Sequence, residues 1–205
     1  KAQYFADMKQ VAVFETHVSW RVKYCGLYSM EYDGVTFFFI DNEEYFARDA
    51  YYGYYDDGER FAYFCNAALD CVTLLPDFEP HILHCNEWQT ALIPVYLKTL
   101  YAQSTAHVGL RTVFTIHNIE YQGKFGLETA EDLFALSAVA QRICEYHGCL
   151  NLMKGAIVTC DRLTTVSPTY AEEIKYDYFG RGLAHIIKGN EYKLVGILNG
   201  IDTKL

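Results

Sequence analysis

His117 and Asn118 stand directly after a strand-like run, Thr112-Val113-Phe114-Thr115-Ile116. A neutral imidazole and a carboxamide both hydrogen-bond sugar hydroxyls, and both can face a developing charge. The same pair can equally end the strand and order the loop that runs through Tyr121-Gln122-Gly123. A second polar group, His84-Cys85-Asn86-Glu87-Trp88, follows Ile82-Leu83. Asn86 suits the N-cap of a following helix and Glu87 the positive end of its dipole. A binding role competes evenly with that reading, and Trp88 is either core or a platform for a sugar face. His81 and His84 are an odd number apart on a strand, so they point to opposite faces and make a poor metal pair.

Two further clusters close strand-like runs in the same way. Leu163-Thr164-Thr165-Val166 leads into Ser167-Pro168, and Leu194-Val195-Gly196-Ile197-Leu198 leads into Asn199-Gly200-Ile201-Asp202. Ser167 reads as a helix N-cap with Pro168 in the first turn. It is not read as a nucleophile, because no G-x-S-x-G elbow surrounds it. Phe179-Gly180-Arg181-Gly182-Leu183 lacks dinucleotide or phosphate-loop spacing and reads as a turn. The acidic, tyrosine-rich stretch from Tyr51 to Glu59 reads as a surface loop, with Tyr51-Tyr52-Gly53-Tyr54-Tyr55-Asp56-Asp57 either stacking carbohydrate or packing on its own domain.

The elements that must position these residues change character along the chain. The first third is β-rich, with strand candidates at 11–14, 20–24 and 35–40, the last preceded by an Asp33-Gly34 turn. Helix-compatible spacing follows over 61–74. From residue 81 the rhythm becomes strand, helix, strand: strands at 81–85, 112–116, 162–166 and 194–198, with helices expected near 87–101, 130–140, 150–158 and after Pro168. Such alternation argues for parallel pairing. Ligands of open parallel sheets bind outside the carboxyl ends of the strands. All four polar clusters are therefore expected in one crevice.

Composition bounds the rest. The 205 residues are 51% apolar and 21% charged, which suits a globular chain with a substantial core. A formal charge of −9 argues against nucleic acid, whose binding needs a basic surface. The seven cysteines are odd in number and show no C-x-x-C, so they read as reduced thiols of a cytoplasmic protein. No apolar run reaches the roughly 18 residues of a membrane helix, and no signal-peptide pattern is present. The chain starts at Lys1 and stops at Leu205, and both ends read as cuts inside a longer protein.

Taken in order, the segments resemble the N-terminal domain of the bacterial glycogen synthases, relatives of plant starch synthases that use ADP-glucose. The resemblance is carried by Tyr-Cys-Gly at 24–26, Phe-Ile-Asp-Asn at 39–42 and Asp-Asp-Gly-Glu-Arg-Phe-Ala at 56–62. It continues through His-Cys-Asn-Glu-Trp-Gln-Thr-Ala-Leu at 84–92 and Phe-Thr-Ile-His-Asn-Ile-Glu-Tyr-Gln-Gly at 114–123. Asn-Leu-Met-Lys-Gly-Ala-Ile at 151–157, Thr-Thr-Val-Ser-Pro-Thr-Tyr-Ala-Glu-Glu-Ile at 164–174 and Gly-Ile-Leu-Asn-Gly-Ile-Asp at 196–202 complete it.

The resemblance implies an α/β fold: a Rossmann-like parallel sheet flanked by helices, with residues 1–205 as the N-terminal half of a two-domain GT-B glycosyltransferase. The leading strand or strands, with the family's glycine loop, and the C-terminal domain would lie outside this chain, which is expected to be inactive alone. The implied reaction moves glucose from ADP-glucose to the non-reducing end of an α-1,4-glucan with retention, without metal or cofactor. Residue by residue, His117 matches the catalytic histidine beside the transferred glucose. Glu87, Asn118, Asn199, Trp88 and Tyr55, with Tyr54 as the alternative to Tyr55, match substrate-binding positions, Glu87 standing where many relatives carry Asp. The competing functions are a non-catalytic α-glucan-binding module and a GT-B transferase using another sugar nucleotide.

Overall fold

The computed structural model describes residues 7–75 and 77–201, so Asp202 of the last cluster lies outside the described residues. The chain divides into two compact units. The first holds the residues up to Pro80 together with Glu131–Ala135; the second holds His81–Ala130 and the residues from Leu136 onward.

The first unit is built on an antiparallel meander, β1 (Lys9–Val18), β2 (Arg21–Tyr32) and β3 (Val35–Asp41). Asp33 and Gly34 both have positive φ, 50° and 76°, as a two-residue type I′ hairpin requires. Val18, Cys25 and Leu27 are buried on the meander, while Val13, Val22 and Tyr24 are exposed. A short helix, α1 (Glu43–Phe46), is capped by Asn42, whose side chain accepts from the Tyr45 amide at 3.0 Å. The longer α2 (Asp57–Val72) buries Ala62, Tyr63, Cys65 and Leu69. The β1–β2 turn is held by Glu131 and Asp132: Ser19 Oγ donates to the Glu131 carbonyl, and Trp20 Nε1 donates to Asp132 Oδ1 at 2.6 Å. Residues 51–55 precede α2 as the expected surface loop, with Tyr51, Tyr52 and Tyr55 exposed, but residues 57–59, expected in that loop, form the first turn of α2.

The second unit carries a four-stranded sheet in the order β10-β9-β5-β4, formed by β4 (Ile82–Asn86), β5 (Arg111–Ile116), β9 (Arg162–Thr165) and β10 (Leu194–Gly196). Every pairing in it is parallel. Alternate residues Cys85, Phe114, Ile116 and Leu163 are buried, as are Val95 and Tyr96 of α3 (Leu92–Lys98) and Met153, Ala156 and Ile157 of α6 (Leu152–Thr159). Between β5 and β9 lie β6 (Lys124–Phe125), α4 (Thr129–Asp132), α5 (Ala138–Cys144), β7 (Glu145–Tyr146) and β8 (Cys149–Asn151). The strands β6, β8 and β7 form a small antiparallel sheet, and the β7–β8 turn again has two positive-φ residues, His147 and Gly148. The chain then forms α7 (Pro168–Glu173), α8 (Asp177–Gly180) and α9 (Ala184–Gly189) before β10. None of the seven cysteines, all among the described residues, forms a disulfide, and six are buried.

Two expected helices differ. The stretch after β4 is a 3-10 turn at Trp88–Thr90 followed by the shorter α3, because Glu87 leaves the strand at a φ of 63° and not in a helical conformation. The stretch 130–140 is broken between α4 and α5, where Ala135 has a φ of 50°.

Strand β10 reaches its place only because residue 196 lacks a side chain. A Cβ on Gly196 would lie 2.5 Å from both the nitrogen and the Cα of Pro168 at the start of α7. Gly196→Ala should therefore destabilise the fold by about 1–3 kcal/mol, the usual cost of overpacking. Gly189→Ala, where a Cβ meets nothing within 4 Å, should leave stability unchanged or raise it by roughly 0.4–1 kcal/mol. Urea unfolding of both variants checks this, and equal midpoints would contradict the packing argument.

Candidate active site

The register of the parallel sheet sets the site. Asn86 pairs with Thr115, and Thr115 with Thr164; Ile116 pairs with Thr165, and Thr165 with Gly196. The four strands therefore end at one edge of the sheet. Glu87, His117 and Ser167 each stand one or two residues beyond a strand end, and Asn199 stands three beyond. Thr115 Oγ1 and Thr164 Oγ1 lie 2.6 Å apart, and His84 Nε2 lies 2.6 Å from Thr115 Oγ1, so a hydroxyl–imidazole chain crosses three strands beneath that edge.

Glu87 organises the edge. Its Oε1 accepts from two consecutive backbone amides, His117 N at 2.5 Å and Asn118 N at 2.8 Å, while its own amide donates to the Thr115 carbonyl at 3.1 Å. Hydrogen bonds to an ionised acceptor are about twice as strong as neutral ones. The backbone at Glu87 has φ 63° and ψ 173°, a region that is essentially reserved for glycine and costs roughly 1–3 kcal/mol for other residues. That conformation takes the side chain across to the β5 loop. Side-chain capping, the reading open for Asn86, is not what it does: no side chain caps the Trp88–Thr90 turn, which Glu87 directly precedes. Asn86 Oδ1 instead faces His117 Nε2 at 3.0 Å.

Both His117 and Asn118 are exposed, with side chains available at the surface of the edge. Asn118 Oδ1 accepts from the Glu120 amide at 3.0 Å, which tightens the turn that follows. Tyr170 OH then accepts from the Ile119 amide at 3.2 Å, so α7 steadies the same loop. Ser167 is the N-cap expected of it, accepting from the Tyr170 amide at 2.9 Å.

Residues that sequence reasoning passed over hold the loop from the other side. Gln122 is buried; its Nε2 donates to the carbonyls of Ile119 and Arg181, and its Oε1 accepts from Asn151 Nδ2 at 2.8 Å. Asn151 Oδ1 in turn caps α6 through the Lys154 amide. The carbonyls of Gln122 and Gly123 accept from the first amides of the same helix, Met153 N and Leu152 N. Gly123 has a φ of 63°, and a Cβ there would lie 2.6 Å from Trp88 Cε3. Trp88 is half-buried against Gly123 and against Phe125, 6.0 Å between ring centroids. The only available signal was that Gln122 and Asn151 are polar residues in two of the resembling segments. Their pairing has no local trace.

Glu87, Trp88, His117, Asn118 and Asn199 all belong to the second unit. Asn199 is exposed, and Tyr55 is fully exposed on the loop of the first unit. Among the described residues, no group of three His, Cys, Asp or Glu could hold a metal ion, and no helix is long and apolar enough to cross a membrane.

A parallel α/β unit with its polar side chains at the carboxyl edge belongs to the Rossmann-like class, which takes ligands at that edge. The model of the starch synthase catalytic domain matches residues 1–189, and the chain belongs to that family. It is 46% identical over 200 residues to a glycogen synthase of Desulfitobacterium hafniense, covering 97% of this chain and 43% of that protein. To a glycogen synthase of Geobacillus stearothermophilus it is 47% identical over 199 residues, covering 95% and 40%. The structure is similar to the catalytic domain of starch synthase IV from Arabidopsis thaliana bound to ADP and acarbose, with a TM-score of 0.85 at 32% identity, over 96% of this chain and 41% of that one. The fold is thus the expected mixed α/β architecture of GT-B starch synthases, and the chain spans less than half the length of these relatives.

The strained Glu87 yields a test of its clamp. Glu87→Ala keeps the unfavourable backbone and loses both amide contacts, whereas Glu87→Gly loses the contacts but relieves a strain of roughly 1–3 kcal/mol. Glu87→Gly should therefore be more stable than Glu87→Ala by about 1 kcal/mol or more, reversing the usual order of the two residues. An Ala variant as stable as the Gly variant in urea would remove the strain from this account.

Proposed function

We propose that the chain is part of a glycogen synthase, an enzyme that moves glucose from ADP-glucose to the non-reducing end of an α-1,4-glucan with retention of configuration. The observation that carries this reading is the Glu87 clamp, which presents His117 and Asn118 together at the ligand-binding edge of a starch synthase family fold. Relatives that match nearly the whole chain are glycogen synthases, and the structural neighbour is bound to ADP and acarbose. In the proposed transfer, the bond between the anomeric carbon and the departing phosphate oxygen breaks, and a bond to the 4-hydroxyl oxygen of the acceptor forms. That hydroxyl gives up its proton to the departing phosphate, and ADP leaves.

In this reading His117 is the catalytic residue beside the transferred glucose. Asn118, Asn199, Glu87, Trp88 and Tyr55 bind substrate, with Glu87 also holding the His117 backbone. These groups act by binding the positively charged, oxocarbenium-like sugar better than the ground state. No metal or cofactor enters the proposed chemistry. Residues 1–205 are taken as one N-terminal domain of starch synthase catalytic type, a reading supported by a family match that runs through both compact units. Seven cysteines without a disulfide fit a reducing compartment, and the cytoplasm is the proposed location.

The complete gene product, assayed with glycogen, should transfer glucose from ADP-glucose in preference to UDP-glucose. Glycogen binding with no transfer from either donor would favour a binding module, and transfer only from another sugar nucleotide would reassign the donor. His117→Ala should lower kcat by roughly 100-fold or more, the scale of losing one transition-state contact, while the unfolding midpoint stays close to that of the parent. Turnover within a few-fold of the parent would take His117 out of the mechanism.

A further inference from the structure

We propose that Asn86 is a positioning residue for His117, holding its imidazole in the form protonated at Nε2 and leaving Nδ1 as the acceptor offered to substrate. The proposal rests on the reading of His117 given above and extends it to a neighbour with no assigned role.

A backbone carbonyl can only accept a hydrogen bond. The His84 carbonyl lies 3.3 Å from one terminal atom of the Asn86 carboxamide, so that atom must be the nitrogen. The other terminal atom is then the oxygen, which can only accept. It faces His117 Nε2 at 3.0 Å, so Nε2 must carry a hydrogen. In a neutral imidazole the proton is on one nitrogen only, and Nδ1 is left with a lone pair. A ligand hydroxyl meeting Nδ1 would donate to it.

Both ends of this contact are fixed by the fold. Asn86 is the last residue of β4, in register with Thr115, and its carbonyl accepts from Thr90 Oγ1 at 2.8 Å. The backbone of His117 is pinned by Glu87 Oε1. One dipeptide at the end of β4 thus holds His117 twice, Glu87 by the main chain and Asn86 by the ring. The preferred tautomer is usually set in this way, by the hydrogen bond that the other ring nitrogen makes.

The test uses the complete gene product labelled with 15N in its histidine rings, observed above about pH 8 where an unperturbed imidazole is neutral. The long-range 1H–15N pattern should show His117 protonated at Nε2 in the parent and in Asn86→Asp, which keeps an acceptor. It should show a mixture of both forms in Asn86→Leu. In parallel, Asn86→Leu should lower kcat by about 10-fold, the worth of one hydrogen bond, with little change in KM, and Asn86→Asp should restore most of it. An Nδ1-protonated parent, a Leu variant with an unchanged ring pattern, or a Leu variant with parental kcat would each overturn the proposal. If the ring pattern shifts as expected but the parent transfers no glucose from any donor, the glycosyltransferase reading fails while the positioning of His117 by Asn86 stands.

Discussion

Parallel register is the constraint on which the rest of this site depends. Four short strands pair so that Asn86, Thr115 and Thr164 share one level, and Ile116, Thr165 and Gly196 share the next. Because parallel hydrogen bonding leaves all strand ends pointing the same way, strand ends scattered from Asn86 to Gly196 reach a single edge. A slip by one residue would turn Cys85, Phe114 and Leu163 out of the core and move every polar cluster to the wrong face.

On that frame, local strain and local hydrogen bonding are traded against each other. Glu87 adopts a backbone conformation natural to glycine, and its carboxylate is then delivered to two amides of the neighbouring strand's loop. Glycine at this position would relax the turn but would leave those amides to water. Position 196 shows the opposite choice: a side chain has been removed there so that the last strand can approach Pro168. At Gly123 both reasons apply, a positive φ and the ring of Trp88 against the missing Cβ.

The loop that carries His117 is tied down on all sides, which is what a preorganised site requires. Glu87 and Asn86 hold it from β4, Tyr170 from α7, and Gln122 with Asn151 from the start of α6. Gln122 and Asn151 are buried polar side chains that must be satisfied, so stability and positioning are served by the same bonds. His117 and Asn118 remain exposed above this base.

Much of this was legible in the sequence for a simple reason: strand runs that end in polar residues, a Pro after Ser167, and an Asp-Gly pair are local signals of local structure. They foretold the β-rich first third, the four parallel strands and the Ser167 cap, and the ordered motifs pointed to the family. What no local signal could give was the partner of each polar group. Asn86 and Glu87 looked like helix caps because their neighbours in sequence form a helix, yet their side chains turn to residues about thirty positions away, brought close by strand pairing. Gln122 and Asn151 pair across a similar separation. Residue type fixes whether a side chain can donate or accept, but only the tertiary fold decides which of many compatible groups lies within 3 Å, because that distance is set by register and packing.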